Sequence, residues 1–287
     1  MIKIYNNSKY FEIIVNALNY LFIKYNELEL NKDKHIIYEI VDSINYLTND
    51  IYIICDYINI KEFPKHYIIY NFEQLDVKRE SNYNNILLNA MQIWDYSLIN
   101  IEYLDKNLNV TAIFFPMGCT PSMILFEPIK WNTRENNMMF IGSMNNKRRD
   151  FLKPMHTYFK SNDLNMFLSN KCWDKEFLDI CSITKISLNI HYYYGNTILE
   201  IHRIIPLILH NIWVCSERST DKFYDELFHD LVDWIDTSSS VNQIKLILNK
   251  NIEEIEQELN NRKEKLLARC DYWIFFNNSK IYNQLIK

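Results

Sequence analysis

Short apolar runs and longer amphipathic stretches alternate along the whole chain. Ile2–Tyr5 reads as a strand, and Ser8 can cap the segment Tyr10–Tyr25, where apolar residues recur at helical spacing. Strand-type runs follow at Ile36–Val41, Ile51–Cys55, His66–Tyr70 and Val110–Phe115, with a helical stretch at Asn84–Gln92. From Met117 to Asn137 no period is visible, and Gly118, Pro121 and Pro128 punctuate the segment, so a domain boundary is expected there. A second alternation begins at Met138. Its strands are Met138–Ser143, Leu164–Ser169, Lys185–His191, Ile212–Ser216 and Leu231–Ile235; its helices are Arg148–Tyr158, Lys175–Cys181, Ile198–His210 and one after the cap Thr237–Ser240. Asn251–Arg269 is acidic first and basic later, the order that suits a helix dipole, with Ile252, Ile255, Leu259 and Leu266 turned inward and the charges solvated. Strands alternating with helices predict an α/β chain with mostly parallel sheets covered on both faces. The expected domains are 1–125, 126–268 and a helical segment, 269–287, returning to the first.

Composition narrows the class. A chain of 287 residues, 48% hydrophobic, 15% aromatic and 23% charged, has ample material for one large or two medium folded domains. Its formal charge of -5 comes without a basic stripe, which argues against a nucleic-acid partner. No apolar run reaches the roughly 18 residues of a membrane span, and the N-terminus lacks a basic stretch followed by an apolar one, so a cytoplasmic protein is expected. The cysteines at 55, 119, 172, 181, 215 and 270 show neither a C-x-x-C pair nor zinc spacing, and read as reduced, buried thiols. An excess of Ile, Asn, Lys and Tyr suggests an AT-rich genome, in which the 3 glycines mark places where backbone geometry demands them.

Gly118, Gly142 and Gly195 each fall just past the carboxyl end of an expected strand, where open α/β sheets bind ligands; turn geometry alone would also put glycine there. After Gly142, Ser143 leads into Lys147, Arg148 and Arg149, a helix N-terminus flanked by cations and suited to phosphate. After Gly195, Asn196 and Thr197 can cap the next helix, with Glu200 in its first turn. That carboxylate can cap its own helix or accept both hydroxyls of a ribose.

The order Phe140-Ile-Gly-Ser143 with Lys147-Arg-Arg149, Leu188-Asn-Ile-His191, Leu199-Glu200 with Arg203, and Val214-Cys-Ser-Glu-Arg-Ser219 resembles the C-terminal half of GT-B glycosyltransferases, nearest the group 1-like and spore-maturation-like branch. Tyr70-Asn-Phe-Glu-Gln74, Ile93-Trp-Asp-Tyr-Ser97 with Asn100, and Phe115-Pro-Met-Gly118 are similar to N-terminal landmarks of the same branch, so the resemblance covers about residues 66–250. It implies two Rossmann-like domains facing across a cleft, with a nucleotide-diphosphate sugar held mainly by the second and no further cofactor. It implies Glu200 on the donor ribose, Gly142, Ser143 and Arg148 in the diphosphate loop, Gly195 at the turn beside it, and Glu217 and Arg218 lining the crevice. His191, on the loop beside the sugar and phosphates, and Glu73, as base for the acceptor hydroxyl of a glycan or other compound, are the candidate catalytic residues. Asp95 and His66 are weaker candidates, and Glu73 also reads as a helix-start carboxylate.

Without an Asp-x-Asp to clamp a metal, Arg148, Arg149 and Arg203 are the cations expected to stabilise a leaving diphosphate. Arg203 can also pair with Glu200 one turn away, worth about 0.3 kcal/mol. Retaining members of the branch carry a second glutamate eight positions before the ribose carboxylate; Tyr192 stands there, which leaves the stereochemistry open. The expected activity is metal-independent glycosyl transfer. The rival readings are a catalytically inert nucleotide-sugar-binding or scaffold protein, and an epimerase acting on a nucleotide sugar.

Overall fold

A computed structural model describes residues 1–29, 32–75, 80–172 and 174–285. The chain divides into two compact units, Met1–Met123 together with the chain from Cys270 onward, and Ile124–Arg269.

The first unit is built on β1 (Ile2–Tyr5), α1 (Glu12–Leu28), β2 (Tyr38–Val41), β3 (Ile51–Ile54), β4 (His66–Asn71), α2 (Glu80–Asn89), β5 (Gln92–Asp95), α3 (Leu98–Tyr103) and β6 (Ile113–Phe114). Its six strands pair in the order β2-β1-β3-β4-β5-β6, every pair parallel. Strands buried on both faces need apolar side chains in unbroken runs, and Ile4, Ile53 and Ile69 are fully buried in successive strands. Helix α1 covers the sheet with a stripe running from Ile14 through Leu18 and Leu21 to Tyr25. The structure corrects two expectations here: Ser8 makes no side-chain capping bond and α1 begins at Glu12, and the helix expected over Asn84–Gln92 stops short. The helix does not run through Gln92 but ends at Asn89, and Gln92–Asp95 is a strand, because Ile93 and Trp94 are buried between β4 and β6. Tertiary packing overrides local helix preference.

The C-terminal segment completes this unit. Phe115 stacks between Tyr70 and Tyr272, at 5.0 and 5.1 Å between ring centres, and the Tyr70 and Tyr272 hydroxyls bond to each other. Cys119 N–H donates to the Cys270 carbonyl at 2.6 Å and Tyr272 N–H to the Cys119 carbonyl at 3.2 Å. Gly118 is needed for that approach: a Cβ there would lie 2.7 Å from the Cα of Tyr272 and closer still to the Cys270 carbonyl oxygen.

The second unit contains β7 (Asn136–Ile141), α4 (Asn146–Ser161), β8 (Met166–Ser169), α5 (Asp174–Ser182), β9 (Thr184–Asn189), α6 (Ile201–Leu209), β10 (Trp213–Ser216), α7 (Lys222–Leu227), β11 (Asp233–Trp234), α8 (Ser240–Leu248) and α9 (Ile252–Arg269). Its strand order is β11-β10-β9-β7-β8, again all parallel. Both sheets are therefore doubly wound, with the chain reversing direction across the sheet between β1 and β3 and between β7 and β9. Helix α9 departs from its expected pattern at two points. Ile252 is 42% exposed, whereas Arg262 is buried, stacked 4.3 Å over Trp213 and paired with Asp233 at 3.0 Å and Glu258 at 2.9 Å. All six cysteines are buried as thiols. Among the described residues, no helix is long and apolar enough to cross a membrane.

His210, at the end of α6, fastens the first residues of this unit. The N–H groups of Leu125 and Phe126 point at its Nε2, at 2.8 and 3.2 Å, and Nδ1 lies 2.6 Å from the Pro206 carbonyl. Two donors facing Nε2 require a lone pair there, so the ring is neutral with its proton on Nδ1. Burial lowers its pKa, reinforced by Lys263 and opposed by the Pro206 carbonyl and Glu127. A neutral form favoured in the folded state contributes stability above the unfolded pKa of about 6.5, which is lost as pH falls toward the depressed folded value. The stability difference between wild type and His210→Gln, from urea melts, is therefore expected to be largest above about pH 6.5 and to shrink on acidification. A pH-independent difference would show that the ring does not act through its lone pair.

Candidate functional site

The reversal between β7 and β9 opens the carboxyl end of the second sheet, and three segments meet there: the turn after β7, the loop after β9 and the turn after β10. Gly195 lies in the β9 loop with φ +83° and open space around its Cα, so the backbone conformation itself calls for glycine. Gly142 has a packing reason, since a Cβ would sit 3.0 Å from the Arg148 guanidinium and 3.3 Å from the Phe140 ring.

Glu200 occupies the N-cap position of α6, one residue before the first turn where it was expected, and its side chain makes no capping bond. Its carboxylate turns to the sheet instead. Asn189 Nδ2, at the end of β9, donates to it at 2.8 Å, and His191 Nδ1 lies 3.1 Å away. Asn189 Nδ2 also reaches Ser216 Oγ at 3.0 Å, and Ser216 donates to the Glu217 carbonyl at 2.8 Å, which locks the ends of β9 and β10 together. Thr197, expected as a helix cap, instead pairs with Thr220 across the two loops.

His191 is 3% exposed, and among the described residues its Nε2 has no hydrogen-bond partner. Burial works against a charged ring, but the carboxylates of Glu200 and Glu217 outweigh it and hold the His191 pKa above its ordinary value. Glu200 shows the mirror image: burial would raise its pKa, yet His191, Asn189 and Arg203 keep it well below the usual carboxylate range. An ionised carboxylate with 21% of its side chain exposed is thus held at the carboxyl end of the sheet.

The cations separate into different roles. Arg148 is buried, and its guanidinium donates to the Ile190 carbonyl at 2.9 and 2.6 Å and to the Ser143 carbonyl at 2.7 Å, between the rings of Phe140 and Tyr192. It ties the turn after β7 to the loop after β9. Arg203 donates to the Ile141 carbonyl at 3.3 Å. Arg149 is exposed and bonds Asn146 on its own helix. Arg218, 63% exposed, lies over Trp234 at 4.7 Å with Asp225 4.0 Å away.

Gly142, Ser143, Arg148, His191, Gly195, Glu200, Arg203 and Glu217 thus belong to one connected end of the sheet, whereas Arg149 and Arg218 engage neighbours of their own. Two further members, Asn189 and Ser216, were not singled out from the sequence, although both lie inside the motifs that carry the resemblance. Lys147, expected only as one of three cations beside a phosphate, joins them. Helix α4 starts at Asn146, capped by Asn145 through Arg148 N–H at 2.9 Å, and that start decides which way each cation points.

Glu73 lies in the first unit, past the end of β4, and the helix that follows is described from Glu80. Its backbone is fixed by Asn71 and Asn100: Glu73 N–H donates to Asn71 Oδ1 at 3.0 Å, and its carbonyl accepts from Asn71 Nδ2 at 3.0 Å and Asn100 Nδ2 at 2.8 Å. Both asparagines donate to the fully buried Asp95 carboxylate. Asp95 is thereby a scaffold for the Glu73 segment, and His66 opens β4 at the far end of that strand.

No protein-family model matches the sequence, and no curated protein matches it. Solved structures do. An alpha-glucosyltransferase in complex with UDP-glucose and DNA containing an abasic site superposes with a TM-score of 0.56 at 11% identity, covering 100% of this chain and 99% of that one. A glycosyltransferase from Rickettsia africae ESF-5 gives 0.53 at 12% identity, covering 100% and 98%. TarM gives 0.52 at 13% identity, covering 93% of this chain and 57% of that one. With two doubly wound parallel sheets and similarity that spans the whole chain, this protein has the GT-B glycosyltransferase fold.

Proposed function

We propose that the protein transfers a sugar from a nucleotide-diphosphate donor to a hydroxyl group of an acceptor. The observation that carries this reading is Glu200, an ionised carboxylate held by Asn189 and His191 at the switch point of the second sheet, relieved of capping its own helix. There it would accept both hydroxyls of the donor ribose. Backbone N–H groups at the start of α4, after Gly142 and Ser143, would meet the diphosphate at the positive end of a 16-residue helix.

In the reaction, the bond between the anomeric carbon and the diphosphate oxygen breaks and a bond to the acceptor oxygen forms. The acceptor proton passes to a base, for which Glu73 is put forward. Helix N–H groups and cations, rather than a divalent metal, would meet the charge on the leaving group. His191 acts as a positioning residue that keeps Glu200 ionised and aimed. Three of the similar structures hold UDP or UDP-glucose, which makes uridine diphosphate the first donor nucleotide to test. Because two of them also hold DNA, DNA belongs in the acceptor panel, although the charge of -5 favours a glycan or other small hydroxyl compound.

The test is thermal stability against nucleoside diphosphates and their sugars, with magnesium or with EDTA, followed by release of the diphosphate in the presence of acceptors. A ligand at about 100 times its Kd adds about 2.7 kcal/mol, so a rise of several degrees with one base is expected, equal with and without the metal. No shift with any nucleotide would overturn the reading. Binding without turnover would leave the inert nucleotide-sugar-binding protein.

A further inference from the structure

We infer that Glu217 is a built-in competitor for the phosphate of the ligand, seated on the cation that the ligand needs. The inference rests on reading this end of the sheet as the donor site. Glu217 follows β10, where its own N–H is fixed on the Asn189 carbonyl at 3.0 Å. One of its carboxylate oxygens, Oε2, receives two donors: the backbone N–H of His191 at 2.8 Å and the Lys147 ammonium at 2.8 Å. A backbone N–H and a full positive charge converging on one oxygen is the arrangement that binds a phosphate oxygen, and here a protein carboxylate fills it.

Lys147 has nothing left to give. An ammonium carries three protons, and its three acceptors are Glu217 at 2.8 Å and the carbonyls of His191 and Tyr193 at 3.2 and 3.3 Å. Lys147 is the second residue of α4, beside the helix end where anions are favoured. A phosphate arriving at that end meets an ammonium already neutralised, and it must displace one partner to bind. Glu217 is the one that can leave, since its backbone is anchored independently and rotation of its side chain suffices. The carbonyls of His191 and Tyr193 belong to the loop that Asn145 also holds, through the Tyr192 carbonyl at 2.6 Å. Lys147 and Glu217 are each 16% exposed, so the pair lies within reach of a ligand. Ligand phosphate and Glu217 therefore exclude each other on Lys147.

The probes are inorganic pyrophosphate and uridine diphosphate, titrated calorimetrically into wild type, Glu217→Gln, Lys147→Met and the double variant. Glutamine keeps an oxygen for the His191 N–H while removing the charge, and Glu217→Ala serves if the glutamine variant does not fold. Glu217→Gln is expected to bind pyrophosphate about tenfold more tightly than wild type, and the gain is expected to vanish in the Lys147→Met background. Unchanged or weaker pyrophosphate binding by the Glu217 variants, or a gain that survives without Lys147, would overturn the inference, whatever the wild type does with uridine diphosphate. If no variant binds a nucleoside diphosphate but pyrophosphate still gains through Lys147, the competition stands and the donor-site reading falls.

Discussion

Glu200→Ala is expected to weaken binding of the donor nucleotide about a hundredfold and to shift the melting temperature by only a few degrees. The first number follows from the carboxylate's proposed partners. Hydrogen bonds to a charged group contribute about 1.5–3 kcal/mol each, so losing two of them at the ribose costs about 3 kcal/mol, or two decades in Kd. The second follows from what the truncation leaves behind. Asn189 keeps Ser216 as a partner, and the helix loses no cap, because Glu200 makes no capping bond. A 2′-deoxy nucleotide distinguishes recognition from collapse. Wild type should discriminate against it, whereas Glu200→Ala should bind both forms alike. Equal affinity of wild type and variant, or an undiminished deoxy penalty in the variant, would remove Glu200 from the site.

How much of this was readable in advance depends on which force sets each feature. The alternation of strands and helices was readable because parallel strands buried on both faces must be apolar throughout, as Ile53 and Ile69 are. Strand β5 was not, because its four residues begin with Gln92 and end with Asp95, and only burial between β4 and β6 selects the extended form. Arg262 could have been read correctly. It falls on the same stripe as Ile255, Leu259 and Leu266, so its position called for burial and only its charge suggested solvent.

The site divides in the same way. Glu200 and His191 stand out by residue type at the end of a strand, and the fold brings them together. The division of labour among Lys147, Arg148 and Arg149 was hidden. Successive helix residues point about 100° apart, so moving the start of α4 by one residue would exchange their roles. With Asn146 as the first residue, Lys147 meets Glu217, Arg148 turns onto Ile190, and Arg149 faces outward. The hydrogen bonds of Asn189 were equally hidden, since they join three elements separated in sequence.

In the first unit the largest stability loss is expected from Asp95→Ala, about 3–5 kcal/mol, read as a fall in the urea midpoint. The carboxylate is fully buried and accepts from Asn71 Nδ2 at 2.6 Å, Ser97 N–H at 2.8 Å and Asn100 Nδ2 at 3.1 Å. Alanine strands these three donors away from water, and each unsatisfied donor costs about 1–3 kcal/mol. The damage has a direction. Asn71 and Asn100 hold Glu73, and Asn100 Oδ1 accepts from Leu75 N–H at 3.0 Å, so the segment after β4 depends on two amides that Asp95 orients. Asp95→Asn is therefore the more informative variant, because it keeps the volume and one acceptor oxygen. It should fold, yet hydrogen exchange at the Glu73 and Leu75 amides should speed up before that of β4 and β5. Protection at those two amides equal to wild type would mean that the buried carboxylate does not hold the segment. Accelerated exchange there would make Asn71, Asp95 and Asn100, three positions separated by up to 29 residues in the chain, a single device for presenting Glu73.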